Sequence, residues 1–326
     1  MSRILLIKTS SMGDVVHNLP VVADLRGALP GCRIDWLVEQ SFSAIARLHP
    51  DVSDIIPVSI RRWRRQPLAA STRQEFSALR SRLRGTRYDA VIDTQGLLKS
   101  ALLAYMANGP SHGLDWNSSR EPLRIFYDKV YAVPWSAHAV ERNRTLAANA
   151  LGYTIGTAPD YGIAAHARRL APVDALFPLQ AAGKFAVLLH ATSAAEKEWP
   201  ETDWIRLGEH LASLGLTSVL PFGGVEERNR SERLATRIPG ARVPPALDLE
   251  QLAALMSRAA IVIGVDTGLT HLAVALGRPT IGLYRATDPA ATGLYGSARA
   301  LNLGGIGQSP SLDEVRRAVQ RMQETS

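Results

Sequence analysis

The sequence predicts an α/β protein built from two doubly wound parallel-sheet domains. Three observations predict it. Short apolar runs alternate with amphipathic segments along the whole chain. The runs are apolar on successive residues, as strands covered on both faces are. The alternation restarts near the middle, and 326 residues suit two domains of roughly 150 residues each.

Five runs of the first half read as strands: Arg3–Lys8, Arg33–Val38, Asp54–Val58, Ala90–Asp93 and Lys129–Val133. Five more follow in the second half: Phe185–His190, Thr217–Phe222, Ala260–Asp266, Thr280–Tyr284 and Arg299–Leu303. Trp204, Leu207, Leu211 and Leu214 share one face of an intervening helix. Leu312, Val315, Val319 and Met322 do the same in the last helix. The stretch from Leu151 to Lys184 has no sustained period and is broken by prolines, so the junction falls there. We divide the chain into 1–165 and 166–326 and expect two domains facing each other across a cleft.

Hydrophobic residues make up 46% of the chain and charged residues 21%, the balance of a soluble globular protein. Cys32 is the single cysteine, which excludes an internal disulfide and suits a reducing compartment. The N-terminus lacks a signal-peptide pattern, and no apolar run approaches the roughly 20 residues that span a bilayer. We expect a cytoplasmic protein that touches a membrane only from one side. The net charge of +7 favours anionic partners: phosphates, nucleic acid or acidic lipid.

Six stretches carry candidate chemistry. In "KTSSMGD" a strand runs into a small polar turn before a helix, and Asp14 closes it. Asp14 there is either a helix N-cap or a general base at the carboxyl end of a strand. The dinucleotide fingerprint of spaced glycines is missing. In "VDTGLTHLAVALG" a strand ends at Asp266, Thr267 and Gly268 form a turn, and His271 sits on the first helical turn. Free amides at such a helix start suit an anion. "HATSAAEKEWP" places Thr192, Ser193 and Lys197 in a loop on the same carboxyl edge, where a lysine can neutralise a departing diphosphate. "PFGGVEERN" offers Glu226 or Glu227 to ribose hydroxyls, or else simply an acidic helix start. "SIRRWRRQP" packs Arg61, Arg62, Arg64 and Arg65 into five residues, a solvated basic loop or a set of forks for carboxylate and phosphate. "VIDTQGLLKSA" puts Asp93, Gln95 and Lys99 after another strand, where they either shape a pocket or cap and solubilise. No D-x-D and no spaced Cys/His cluster occurs, so no metal site is indicated.

Taken in order, "KTSSMGDVVHNLP", "VIDTQGLLKSA", "GLDWNSSREPL", "HAVERNRTLAANALGY", "HATSAAEKEWP" and "VDTGLTHLAVALGRPT" resemble the bacterial lipopolysaccharide heptosyltransferases of glycosyltransferase family 9. The resemblance runs from Lys8 to about Tyr295 and is closest to the branch that adds the first heptose. It implies a GT-B fold of two Rossmann-like domains, an acceptor-binding one and a C-terminal one for the donor ADP-heptose. In that fold the last helix often crosses back to the first domain. It implies inverting transfer of L-glycero-D-manno-heptose to the 5-hydroxyl of Kdo on Kdo-lipid A, at the cytoplasmic face of the inner membrane, without a metal cofactor.

Residue by residue, the resemblance makes Asp14 the catalytic base and Lys197 the ligand of the donor phosphates. It places Thr192, Ser193, Asp266, Thr267, Gly268 and His271 around the diphosphate and sugar, and Glu227 on the ribose. It assigns Arg61, Arg62, Arg64, Arg65 and Arg120 to the acidic acceptor. Two departures stand out. The chain reads "YRATDP", with Arg285 and Ala286 where the family often has glycine and proline, and "TSAAEK", with serine as the second hydroxyl. The rival readings are the branch that adds heptose to heptose, a nucleotide-sugar epimerase of GT-B shape, and a non-catalytic basic protein that binds RNA or membranes. No RNA-binding signature accompanies the arginines, so nucleic acid is not an expected partner.

Overall fold

The computed structural model describes residues 2–156, 158–170, 177 and 183–324. The chain forms two compact units, Met1–Gly162 and Ile163–Ser326. Each is α/β, with a parallel sheet and helices packed on it.

In the first unit the strands are β1 (Arg3–Ile7), β2 (Arg33–Glu39), β3 (Val52–Val58), β4 (Ala90–Asp93), β5 (Ser111–Leu114) and β6 (Lys129–Tyr131). They lie in the order β3-β2-β1-β4-β5-β6, all parallel. The helices are α1 (Met12–Val16), α2 (Leu19–Ala28), α3 (Ser43–Arg47), α4 (Ile60–Arg65), α5 (Ala70–Gly85), α6 (Leu98–Met106) and α7 (Ala139–Leu151). The central strand β1 is apolar on both faces, and Ile4 through Ile7 are buried, as its unbroken run requires. Strand order reverses between β1 and β4. The loops leaving their carboxyl ends therefore lie side by side, which is where open α/β sheets bind ligands.

Sequence reasoning gave this sheet five strands; it has six. The missing one is β5, whose four residues "SHGL" form no apolar run. All four are nevertheless buried, because their polar atoms find partners: Ser111 donates to Asp128 (2.8 Å), and His112 meets the Tyr131 hydroxyl (2.9 Å). Gly113 lies under the Tyr127 ring, where a Cβ would come within 2.4 Å.

The second sheet contains β7 (Phe185–Leu189), β8 (Thr217–Val219), β9 (Ile261–Val265), β10 (Thr280–Tyr284) and β11 (Ala300–Gly304), ordered β11-β10-β9-β7-β8 and again parallel. The helices are α8 (Ala164–Arg169), α9 (Glu201–Ser213), α10 (Val225–Ala235), α11 (Leu249–Met256), α12 (Gly268–Ala275), α13 (Pro289–Thr292) and α14 (Leu312–Glu324). Here the order reverses between β7 and β9, so the loops after those two strands are neighbours.

Trp199 and Trp204 meet edge-on at 5.2 Å in a core that also takes Leu207 and Leu211 of α9 and Val315, Val319 and Met322 of α14. α14 thus covers the second sheet through α9, β10 and β11. Leu214 leaves the predicted apolar face: α9 ends at Ser213, and Leu214 is its exposed C-cap. No helix among the described residues is long and apolar enough to cross a membrane.

Candidate functional site

The two switch points carry different chemistry. In the first unit the turn after β1 leads into α1. Ser11, not Asp14, is the N-cap of that helix. Asp14 stands three residues in and closes a capping box, its Oδ2 accepting from the Ser11 amide and hydroxyl, both at 2.8 Å. Its Oδ1 takes no hydrogen bond among the described residues, and the side chain is partly open to solvent.

Cations surround this carboxylate. Lys8, at the end of β1, is buried and donates to the Thr94 carbonyl (2.7 Å) and to Asn143 Oδ1 (3.3 Å). Burial pushes its ammonium below the usual lysine range, against the attraction of Asp14 and Asp93. Lys99, on α6, donates to Ser10 Oγ at 2.8 Å. Burial lowers its pKa too; Glu39 and Asp14 oppose that, while Arg61 and Arg64 add to it. Gln95 ties the loop after β4 to the β1 turn, its Oε1 accepting from the amides of Thr9 (2.9 Å) and Ser10 (3.0 Å). Asp93 is fully buried and accepts from the amides of Gln95 and Gly96 and from the Tyr127 hydroxyl (2.7 Å). Burial raises its pKa despite these bonds.

The arginine run divides its labour. Arg61 lies over the Phe42 ring at 5.6 Å, and its amide donates to Glu39. Arg61 and Arg64 both act on Lys99 and so stand near the Asp14 cluster. Arg62 instead pairs with Glu75, which also accepts from Trp63 Nε1 at 2.8 Å. Arg65 is exposed. Arg120 lies 5.7 Å from the centre of the Trp135 ring, and Arg142 lies 3.6 Å from it.

In the second unit β9 delivers Asp266 to the switch point, and Thr267 is the N-cap of α12. Asp266 Oδ2 accepts from Lys197 Nζ (2.7 Å) and Thr287 Oγ1 (2.8 Å), while His271 Nε2 lies 3.7 Å from Oδ1. Burial pushes this carboxyl up. The hydrogen bonds from His271, Lys197 and Thr287 outweigh burial and hold it well below the usual carboxylate range. Thr192, after β7, donates to the Asp266 carbonyl at 3.1 Å. The loops after β7 and β9 are therefore bound to one another, with a lysine head group held at the start of a helix. Such an arrangement can receive a diphosphate.

Ser193 is exposed in the same loop. Glu227 accepts from the Gly223 amide at 2.7 Å and so caps the turn that begins α10. The "YRATDP" departure is built into the site. Arg285 donates to the Glu198 carbonyl, Thr287 bonds Asp266, and Asp288 caps α13 by accepting from the Ala290 amide at 2.9 Å.

The model of glycosyltransferase family 9 (heptosyltransferase) matches residues 76–320. The chain belongs to glycosyltransferase family 9. Lipopolysaccharide heptosyltransferase 1 of Escherichia coli K12 is 45% identical over 297 residues, 90% of this chain and 91% of that protein. Its namesake from Pseudomonas aeruginosa is 43% identical over 300 residues, 91% and 82% of the two chains. The structure of E. coli heptosyltransferase WaaC with ADP matches with a TM-score of 0.89 at 42% identity and covers 99% of both chains.

Within this family 9 chain, sequence reasoning brought Lys197, Asp266, Thr192 and His271 to one place, and the structure assembles them there. It missed Thr287, Lys8, Arg142 and Trp135 as members of the two clusters. For Thr287 a signal existed, since the turn after β10 lies on the carboxyl edge of the same sheet as Asp266. For Trp135 no motif pointed to it.

Proposed function

We propose that this chain is an inverting glycosyltransferase that moves L-glycero-D-manno-heptose from ADP-heptose to the 5-hydroxyl of Kdo on Kdo-lipid A, building the lipopolysaccharide inner core. The observation that carries this reading is the Lys197–Asp266–Thr287–His271 cluster at the start of α12. Its support from outside the chain is the 45% identity to a lipopolysaccharide heptosyltransferase 1 and the likeness to WaaC bound to ADP.

In this reading Asp14 Oδ1 takes the proton of the acceptor hydroxyl as its oxygen forms a bond to the anomeric carbon. The bond from that carbon to the diphosphate oxygen breaks on the opposite face, and ADP leaves with the electron pair. Lys197, the hydroxyls of Thr192, Ser193 and Thr267, and the amides at Gly268 receive the growing charge. Asp266 is a positioning residue that aims Lys197, and Glu227 reaches the ribose from its capped turn. Arg61, Arg62, Arg64, Arg65 and Arg120 attract the acidic acceptor. The enzyme works without a metal ion, peripheral to the cytoplasmic face of the inner membrane, where its +7 charge favours acidic lipid.

The test is ADP release from ADP-heptose with and without Kdo-lipid A, in buffer containing EDTA. Release that needs the acceptor and survives EDTA is the expected result. No release with a folded, donor-binding protein overturns the Kdo acceptor, and release abolished by EDTA and restored by a divalent cation overturns metal independence.

A further inference from the structure

The loop between β7 and α9 carries Lys197, and its two ends are fixed in different ways. At the entry Thr192 donates to the Asp266 carbonyl at 3.1 Å. Ser193, Ala195 and Glu196 are exposed, and Lys197 ends a single 3₁₀ turn, Ala195–Lys197. At the exit two arginines close on Glu198, the next residue. Arg285, in the turn after β10, donates to the Glu198 carbonyl. Arg230, on α10, pairs its Nη1 with Glu198 Oε2 at 2.5 Å and donates from Nη2 to the Trp199 carbonyl at 2.9 Å.

What stands behind these arginines is itself well anchored. Arg230 is buried, and Glu201 adds a second carboxylate 3.5 Å from its Nε. The next residue of α10, Ser231, meets His190 at the end of β7, Oγ to Nε2 at 2.8 Å. Trp199 is buried, and its indole donates to the Pro310 carbonyl at 2.9 Å. The Arg285 turn is held by the Gly307 amide, which donates to the Arg285 carbonyl at 2.9 Å. Two residues on, Thr287 donates to Asp266 Oδ2, the same atom that holds the Lys197 ammonium.

Neither guanidinium is laid out as a ligand for an anion. Arg230 is enclosed by Glu198, Glu201 and the Trp199 carbonyl, and Arg285 turns one nitrogen to the main chain while its Nε is buried. A buried ion pair adds little stability over an apolar contact of the same shape; what it can fix is geometry. The lysine stem is flexible, so the ammonium is placed no better than the backbone that carries it. Asp266 restrains the head of Lys197, and the bonds at Glu198 restrain its root.

We propose that Arg285 and Arg230 are positioning residues for Lys197: they clamp the main chain at Glu198 so that the ammonium meets a nucleoside diphosphate at its phosphates. This rests on the donor site proposed above and deepens it. Arg285 is the part peculiar to "YRATDP", since a glycine there has no group that could reach Glu198.

The test titrates ADP and adenosine calorimetrically into wild type, Arg285→Ala, Arg285→Lys, Glu198→Ala, Lys197→Gln and the Arg285→Ala/Lys197→Gln double variant. Thermal unfolding confirms that each is folded. Arg285→Ala is expected to weaken ADP by about threefold to thirtyfold, the range of coupling within a shared network, and to leave adenosine within about twofold. Arg285→Lys keeps a donor for the carbonyl and should recover part of the loss. In the Lys197→Gln background Arg285→Ala should cost less than about twofold, because the group it positions is gone. Glu198→Ala separates position from charge. It removes a carboxylate near Lys197, so charge alone would tighten ADP, whereas the clamp requires weaker binding.

An equal loss on ADP and adenosine makes Arg285 merely structural and overturns the clamp. So does a full loss that persists in the Lys197→Gln background. Tighter ADP binding by Glu198→Ala overturns the part given to Arg230. These titrations need neither acceptor nor turnover. If transfer to Kdo fails they still decide the clamp, and if the clamp fails, acceptor-dependent ADP release still decides the transfer.

Discussion

Asp14 uses one carboxylate oxygen to close its own helix and leaves the other unbonded. That division lets one residue close the helix with Oδ2 and still offer Oδ1 as the proposed base. Asp14→Asn should therefore keep the fold, since the amide oxygen still accepts from Ser11, and lose about 10²–10⁴-fold in turnover. Near-normal turnover in a variant with wild-type thermal stability would assign the base elsewhere. Lys197 poses the complementary case in the second unit. Its ammonium is pre-aimed by Asp266, so Lys197→Gln should depress kcat by about 10²–10³-fold and raise the KM for ADP-heptose. The KM for acceptor should not move; a change in acceptor KM alone would remove Lys197 from the donor site.

At the scale of elements, the donor cluster depends on how α12 leaves β9. Gly264 in β9 has no side chain, and Thr270 Oγ1 fills that space to donate to the Val265 carbonyl at 2.8 Å. A Cβ at Gly264 would come within 2.2 Å of Thr270 Oγ1 and 2.9 Å of Leu189 Cβ. Gly264→Ala should thus destabilise the protein by about 1–3 kcal/mol and displace the start of α12. Denaturant unfolding measures the first effect, and a raised KM for ADP-heptose the second; unchanged values of both would show that α12 tolerates the shift. The same two elements show what the sequence could reveal. β9 and its turn were legible because an apolar run ending in Asp-Thr-Gly has few other readings. β5 was not, because its burial rests on Asp128 and Tyr131, which are distant in sequence and adjacent only in the sheet. Ser11 as the cap was hidden by Asp14, an equally good capping type three residues on. Arg142 looked like any helical arginine, since only the fold sets it on Trp135 while leaving Arg144 its acids. Patterns of burial are local and readable; pairings between polar side chains are not.

For the whole molecule, acid stability turns on buried histidines, and one in each unit is shifted furthest. In the first, His49 accepts from the Asp51 amide at 3.2 Å, and burial lowers its pKa to about 4 against the pull of Asp51 and Asp160. In the second, His190 meets Ser231 Oγ at 2.8 Å; burial and then Arg230 lower its pKa to about 4. An unfolded histidine titrates near 6.5. Below that pH the unfolded chain takes up protons that the folded chain refuses at His49 and His190, and burial lowers His112 and His210 in the same direction, so stability falls as pH drops from about 6.5 towards 4. Asp266 enters only later, since it is held below the usual range and its contribution fades in more acid solution. The +7 charge acts in the same direction, because every added proton increases self-repulsion. Thermal unfolding midpoints should therefore be level near neutrality and decline steadily between pH 6.5 and 4.5. His190→Gln should flatten that decline for the second unit and His49→Gln for the first, each at some loss of stability at pH 7.5. A midpoint that holds constant down to pH 4.5 in the wild type would mean that both rings find protonated states the fold can accommodate, and neither burial would then matter to acid stability.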